Sequence, residues 1–137
     1  MIIVDDRLSL DALADRRSTF GATPDETVAT TWCFHYRLVR ALTDTARAGQ
    51  LSATIPTDQV LDAAVSPRPE HLQILDPRSL TETAASAAVR HGLNLLAAEL
   101  VAAATHHHAA VALSSLNLGR TWPAVFAEEG IELRVVP

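Results

Sequence analysis

Ile2-Ile3-Val4 is a run of three β-branched apolar residues that ends in Asp5-Asp6. An apolar run this short predicts a strand buried on both faces, as in a parallel sheet. Ser9 then caps a short helix predicted from Leu10 to about Arg16, and Phe20-Gly21 marks a turn. Thr23-Pro24-Asp25-Glu26 has the form of a helix start, with a capping threonine, proline at the first helical position and glutamate at the third. Val28, Trp32, Tyr36, Val39 and Leu42 follow at three- and four-residue steps. The pattern predicts one helix of about 25 residues, ended by Gly49. A weaker helix, Thr57 to about Val65, is broken by Ser66-Pro67-Arg68-Pro69.

His71-Leu72-Gln73-Ile74-Leu75 reads as a strand. Asp76-Pro77 turns the chain, and Ser79-Leu80-Thr81-Glu82 is a second capping box whose helix ends at Gly92. Asn94 caps a further helix, Leu95 to about His107. Val111-Ala112-Leu113 is a strand that runs into the polar stretch Ser114-Ser115-Leu116-Asn117. Pro123 opens a last helix that stops at Gly130, and Ile131 to Val136 is the terminal strand. Strands separated by helices need crossover connections, which make a parallel sheet covered on both faces. The expectation is one α/β domain over residues 1–137, with a four- or five-stranded, mainly parallel sheet. Sites in such sheets form beyond the carboxyl ends of the strands. Asp5, Asp6 and residues 114–117 are therefore candidates by position alone, although a cap or turn for the first helix also accounts for the two aspartates.

Composition narrows the classes. Hydrophobic residues make up 48% of the 137 and charged residues 20%, which fits a globular core. All eleven cations are arginine, and sixteen carboxylates bring the net charge to −5. That balance weighs against non-specific binding to duplex DNA, yet it leaves room for a metal-dependent nuclease, whose acids attract the metal first. Five of the acids, Asp25, Glu26, Asp58, Asp76 and Glu82, stand at expected helix starts, where capping and the helix dipole account for them. Asp5, Asp6 and Glu99 are left for a shared cluster. The lone Cys33 forms no internal disulfide, no basic leader precedes the first apolar run, and no apolar stretch is long enough to span a bilayer. A cytoplasmic protein away from the membrane is expected.

Other residues carry weaker signals. Glu99, with Leu96 and Ala103 at helical spacing, reads as an inward-facing carboxylate. Trp32 and Tyr36, four apart, are expected in the core or at a subunit contact. Arg37 and Arg40, three apart, suit phosphate or carboxylate, although solvation on a helix surface is the commoner outcome. Ser114, Ser115 and Asn117 suit a phosphate contact and are also ordinary turn formers. Cys33 and His35 face apart on a helix, which argues against a nucleophile–base pair. His106, His107 and His108 point about 100° apart and cannot share one metal; a helix C-terminus suits them better.

Three stretches together resemble the PIN-domain family, which includes the ribonuclease toxins of bacterial toxin–antitoxin modules. They are Ile2-Ile3-Val4-Asp5 with a leucine-rich helix soon after, the Arg-Leu-Val-Arg-Ala-Leu run from Arg37 to Leu42, and the block from Leu93 to Val136. The likeness lies in element order and spans most of the chain. It implies a three-layer PIN-like fold, magnesium or manganese as cofactor, RNA as substrate, an antitoxin or other protein partner, and a homodimer. The family gathers three or four carboxylates around hard divalent ions that activate water. Asp5 matches the first acid. The second falls near Arg37, the third near Asn94 or Glu99, and the fourth near Asn117, which offers only a neutral oxygen. By this likeness Asp5, Asp6 and Glu99 are the metal ligands. Asp5, Glu99 and Asn117 form the catalytic set, and Arg37, Arg40, Ser114 and Ser115 contact substrate. Two functions follow: a metal-dependent ribonuclease, or a PIN-like module without catalysis that binds a protein or RNA. Arg37 and Asn117 favour the second on chemistry, and the family's usual activity favours the first.

Overall fold

The apolar run at the N-terminus becomes the middle strand of the molecule. In the computed structural model, which describes residues 1–47 and 57–137, β1 (Ile2–Val4) lies between β2 (Val28–Thr30) and β4 (Ala110–Ser114). The sheet has five parallel strands in the order β3-β2-β1-β4-β5, where β3 is Gln73–Ile74 and β5 is Leu133–Val136. Among the described residues six helices connect them: α1 (Asp6–Leu13), α2 (Trp32–Arg47), α3 (Thr57–Val65), α4 (Thr81–His91), α5 (Leu95–His107) and α6 (Trp122–Glu128). None is long and apolar enough to cross a membrane.

Side chains alternate across the sheet as strand geometry requires. Ile2 and Val4 point to one face and pack with Leu8, Ala12 and Phe20. Ile3 points to the other and joins Phe34, Leu100, Val111 and Phe126. All three β1 side chains are fully buried, and each such burial stabilises the fold by roughly 1.5–3 kcal/mol. The result is the three-layer α/β architecture that the alternation of elements predicts.

The connections place a crevice. The chain steps outward from β1 to β2 to β3, then crosses back and lays β4 on the other side of β1. Loops after β1 and β4 therefore diverge at a point where the strand order reverses, the usual location of a site in open parallel sheets.

Several elements follow the local pattern closely. α3 spans Thr57–Val65, and α5 spans Leu95–His107 with Asn94 Oδ1 accepting the Ala97 N–H at 3.0 Å. α6 and β5 also fall where expected. Gly21, Gly92 and Gly130 stop their segments in the left-handed region that glycine tolerates best.

Others differ, each for a physical reason. The first helix starts at Asp6, because Asp5 and not Ser9 is its cap; Asp5 Oδ1 accepts the Leu8 N–H at 2.8 Å. Ser9 is buried inside that helix and donates to the Asp5 carbonyl at 2.7 Å. The long helix expected from Thr23 divides into strand β2 and helix α2. Val28, Ala29 and Thr30 are buried and pair with β1, and that pairing outweighs the helical spacing. Half of the expected capping box survives as a turn, with the Thr23 N–H donating to Glu26 Oε2 at 3.4 Å. Thr31 caps α2 instead, its hydroxyl accepting the Phe34 N–H at 3.4 Å. Phe34, Leu38 and Leu42 face the core, while Trp32 and Tyr36, expected in the core or at a subunit contact, stand 47% and 51% exposed and so lie outside the core. Gly49 lies outside the described residues. The second capping box is replaced by a 3-10 turn, Pro77–Leu80, capped by Asp76, and α4 begins directly after it. The His71–Leu75 strand shortens to the two residues of β3 at the sheet edge.

Candidate functional site

Asp5 follows β1 directly and is fully buried. Its carboxylate ties three segments together. Oδ1 caps α1 through Leu8, and Oδ2 accepts the Ser114 N–H at 2.7 Å and the Asn117 side-chain amide at 2.8 Å. A carboxylate offers about four lone-pair positions, and three of them are taken here. Burial pushes the Asp5 carboxyl above the ordinary aspartate range. The three hydrogen bonds oppose that rise, and the Asp6 charge adds to it.

Asn117 bridges the two acids. Its Nδ2 also donates to Asp6 Oδ1 at 2.6 Å, so one amide group spans Asp5 and Asp6. Its carbonyl oxygen turns the other way and accepts from the Arg37 guanidinium at 3.2 Å. The same guanidinium lies 3.5 Å from Asp6 Oδ2 and 5.7 Å from the centre of the Phe34 ring. The loop that carries Asn117 is shaped locally. Ser114 is buried at the strand end, and its hydroxyl accepts the Leu116 N–H at 3.3 Å. Further on, Gly119 lets Trp122 close over the loop, since a Cβ there would meet the indole at 2.3 Å. Ser115 is exposed and anchored through its backbone N–H to the Val136 carbonyl at 2.8 Å.

Glu99 is 4% exposed, as an inward-facing carboxylate should be. Its Oε2 accepts the Cys33 N–H at 2.9 Å, at the first turn of α2. A carboxylate there satisfies an otherwise unpaired helix donor and complements the helix dipole. The neighbouring Cys33 thiol is pushed up to about 12 by burial and by Glu99, which makes it a poor nucleophile. His35 faces away and bonds the Ala64 carbonyl at 2.9 Å.

The structure thus unites Asp5, Asp6, Arg37, Ser114 and Asn117, and ties Glu99 to α2. Arg40 lies one turn beyond Arg37 on α2, exposed. His107 ends α5 and His108 is its left-handed cap, in keeping with a helix-terminus role. Spacing alone did not reveal Glu99 as the partner of the α2 N-terminus, and it left open whether Trp32 and Tyr36, stacked at 5.7 Å on the surface, belong to the core or to a subunit contact. The second could have been settled from Phe34, Leu38 and Leu42, an equally regular stripe on the same helix.

A divalent ion of the kind the PIN likeness implies needs several free oxygen donors at one point. Between Asp5 and Asp6 the chain presents amide hydrogens, and beside them a guanidinium. Among the described residues no group of three or more His, Cys, Asp or Glu side chains is disposed to hold a metal. The residues present do not fit the ion. No family model matches the chain, and no curated protein matches it.

Proposed function

We propose that this chain is a PIN-like module that binds single-stranded RNA without cleaving it. The observation that carries this reading is the Asn117 amide set between Asp5 and Asp6, where hydrolysis by metal-activated water would need a cation. The binding face proposed is the start of α2. Trp32 and Tyr36 are stacked nearly parallel, at 14°, and about half exposed, a flat surface on which a base can stack. Arg40 follows on the same helix, exposed, and supplies positive charge for phosphates, while Arg37 before it is engaged with Asp6 and Asn117. Arg40 makes no ion pair with the described residues. An RNA partner accords with a cytoplasmic protein. A toxin held by an antitoxin belongs to the nuclease reading, which the Arg37–Asn117 pair disfavours.

Fluorescence anisotropy with labelled single-stranded RNA tests the proposal, alongside a denaturing gel of the same RNA with Mn²⁺ or Mg²⁺. Expected are salt-sensitive binding, intact RNA, and weakening of about tenfold in Trp32→Ala, the usual worth of one stacked base. RNA cleavage that Asp6→Asn abolishes would restore the nuclease. Absent RNA binding, together with a dimer by light scattering that Trp32→Ala dissolves, would make this face a subunit contact.

A further inference from the structure

We infer that the Arg37 guanidinium is the resident cation of this sheet edge, doing structurally what a divalent ion does between acids. It reaches three separate parts of the fold. It starts on α2, contacts Asp6 on α1, and bonds Asn117 in the loop after β4. The Phe34 ring, fully buried, lies 5.7 Å from the guanidinium carbon and adds a cation–π contact. The Asn117 amide completes the exchange. Its oxygen faces the cation and its hydrogens face the two carboxylates, so one neutral side chain relays Arg37 to Asp5. A guanidinium is permanently charged and offers five donors but no acceptor, so it holds these oxygens at any ordinary metal concentration.

The arrangement has a direct consequence. With Arg37 in place the edge has no use for a divalent ion; with Arg37 removed and oxygen donors supplied, it should acquire one. This inference rests on the PIN-like reading only for where a cation would otherwise stand. It concerns metal affinity, whereas the proposed function concerns RNA, so the two can fail separately.

The test is thermal unfolding with and without Mn²⁺ at millimolar concentration, against NaCl at equal ionic strength. The Tm of the natural protein is expected to be the same in both. In Arg37→Glu/Asn117→Asp, Mn²⁺ should raise the Tm saturably by about 5 °C or more, and adding Asp5→Asn should remove the rise. A saturable Mn²⁺-dependent rise in the natural protein, lost in Asp5→Asn, overturns the inference. So does a folded double variant that gains no Mn²⁺ dependence. If the double variant is unfolded even with Mn²⁺, Arg37→Gln/Asn117→Asp decides. Its Tm should fall, and Mn²⁺ but not NaCl should recover part of the loss; no recovery overturns the inference. RNA intact but Mn²⁺ bound by the natural protein would sink this inference and leave the proposed function standing.

Discussion

At the carboxyl ends of the strands Asp5 is fully buried, with protein donors on both oxygens, and Glu99 is nearly so. At the amino ends two of the three carboxylates before β5 stand in water. The side chains of Glu128 and Glu132 are 70% and 63% exposed. Among the described residues Glu132 pairs with Arg134, two residues on, and Glu129, 17% exposed, is held by His91 and Arg90. The same residue type does different work at the two ends. Helices α1 and α2 begin at the carboxyl ends, so their unpaired N–H groups and positive dipole ends collect there and can hold a buried acid. Helices α5 and α6 deliver their C-termini to the amino ends, where an acid gains nothing from the dipole and is either solvated or held by cationic and imidazole side chains. Acidity read from composition thus covers two physically distinct populations.

Four measurements would break or sharpen this contrast. The largest effect is expected for Asp5→Asn. One amide oxygen can still face Leu8, but the NH₂ would then confront the Ser114 N–H and the Asn117 amide. Urea unfolding should report a loss of about 2–4 kcal/mol, against no more than about 0.5 kcal/mol for Glu132→Gln. Similar losses for the two variants would erase the difference between the edges.

Glu99→Ala comes next. It leaves the Cys33 N–H without its acceptor and should cost about 1–3 kcal/mol. The same substitution should speed thiol labelling of Cys33 roughly tenfold at pH 8, because the neighbouring negative charge is gone. An unchanged labelling rate would mean that Glu99 does not govern the thiol.

At the amino ends a gain is expected. His108 caps α5 with φ +49°, a conformation glycine adopts at less cost, and its side chain is exposed. His108→Gly should raise stability by about 0.5–1 kcal/mol in the same urea assay. A loss there would reveal a role for the imidazole.

The smallest effect is in the pH dependence, where the two edges should have opposite signs. Burial raises the Asp5 carboxyl, so the folded state holds that proton more tightly than the unfolded chain. Its contribution to stability therefore falls as pH rises through the raised value. Glu129 is lowered, first by its hydrogen bond with His91 and then by Arg90. Its contribution is present above the ordinary glutamate range and is lost as pH falls through the lowered value. Carboxyl-carbon NMR titration should find Asp5 above the ordinary aspartate range and Glu129 below the ordinary glutamate range. An Asp5 midpoint below the ordinary range would overturn the assignment of burial as the dominant influence on it.

Short-range signals were legible residue by residue. Asn94 and the apolar run after it specify α5, the Pro67 and Pro69 pair stops α3, and Ile2-Ile3-Val4 specifies a buried strand whose end places Asp5 at the switch point. These succeed because caps, breakers and side-chain periodicity act within about four residues. The stretch 23–42 was ambiguous for the same reason. Its helical spacing is real, but whether Val28, Ala29 and Thr30 are helix or strand depends on β1 lying alongside. Once that pairing forms, α2 starts at Trp32 and a different stripe, Phe34, Leu38 and Leu42, turns inward.

The sequence by itself determined the α/β class, the bounds of α3 and α5, and Asp5, Asp6 and Asn117 as residues at strand ends. It also placed an arginine where the PIN likeness expects an acid. Tertiary structure alone decided what these residues do to one another. Asp5 and Asn117 are 112 positions apart, and Arg37 and Asn117 are 80 apart. No local pattern couples them. They meet because β4 pairs with β1, and α2 leaves the adjacent strand at the same edge. That geometry turns two acids, an amide and a guanidinium into one closed network of hydrogen bonds and charge.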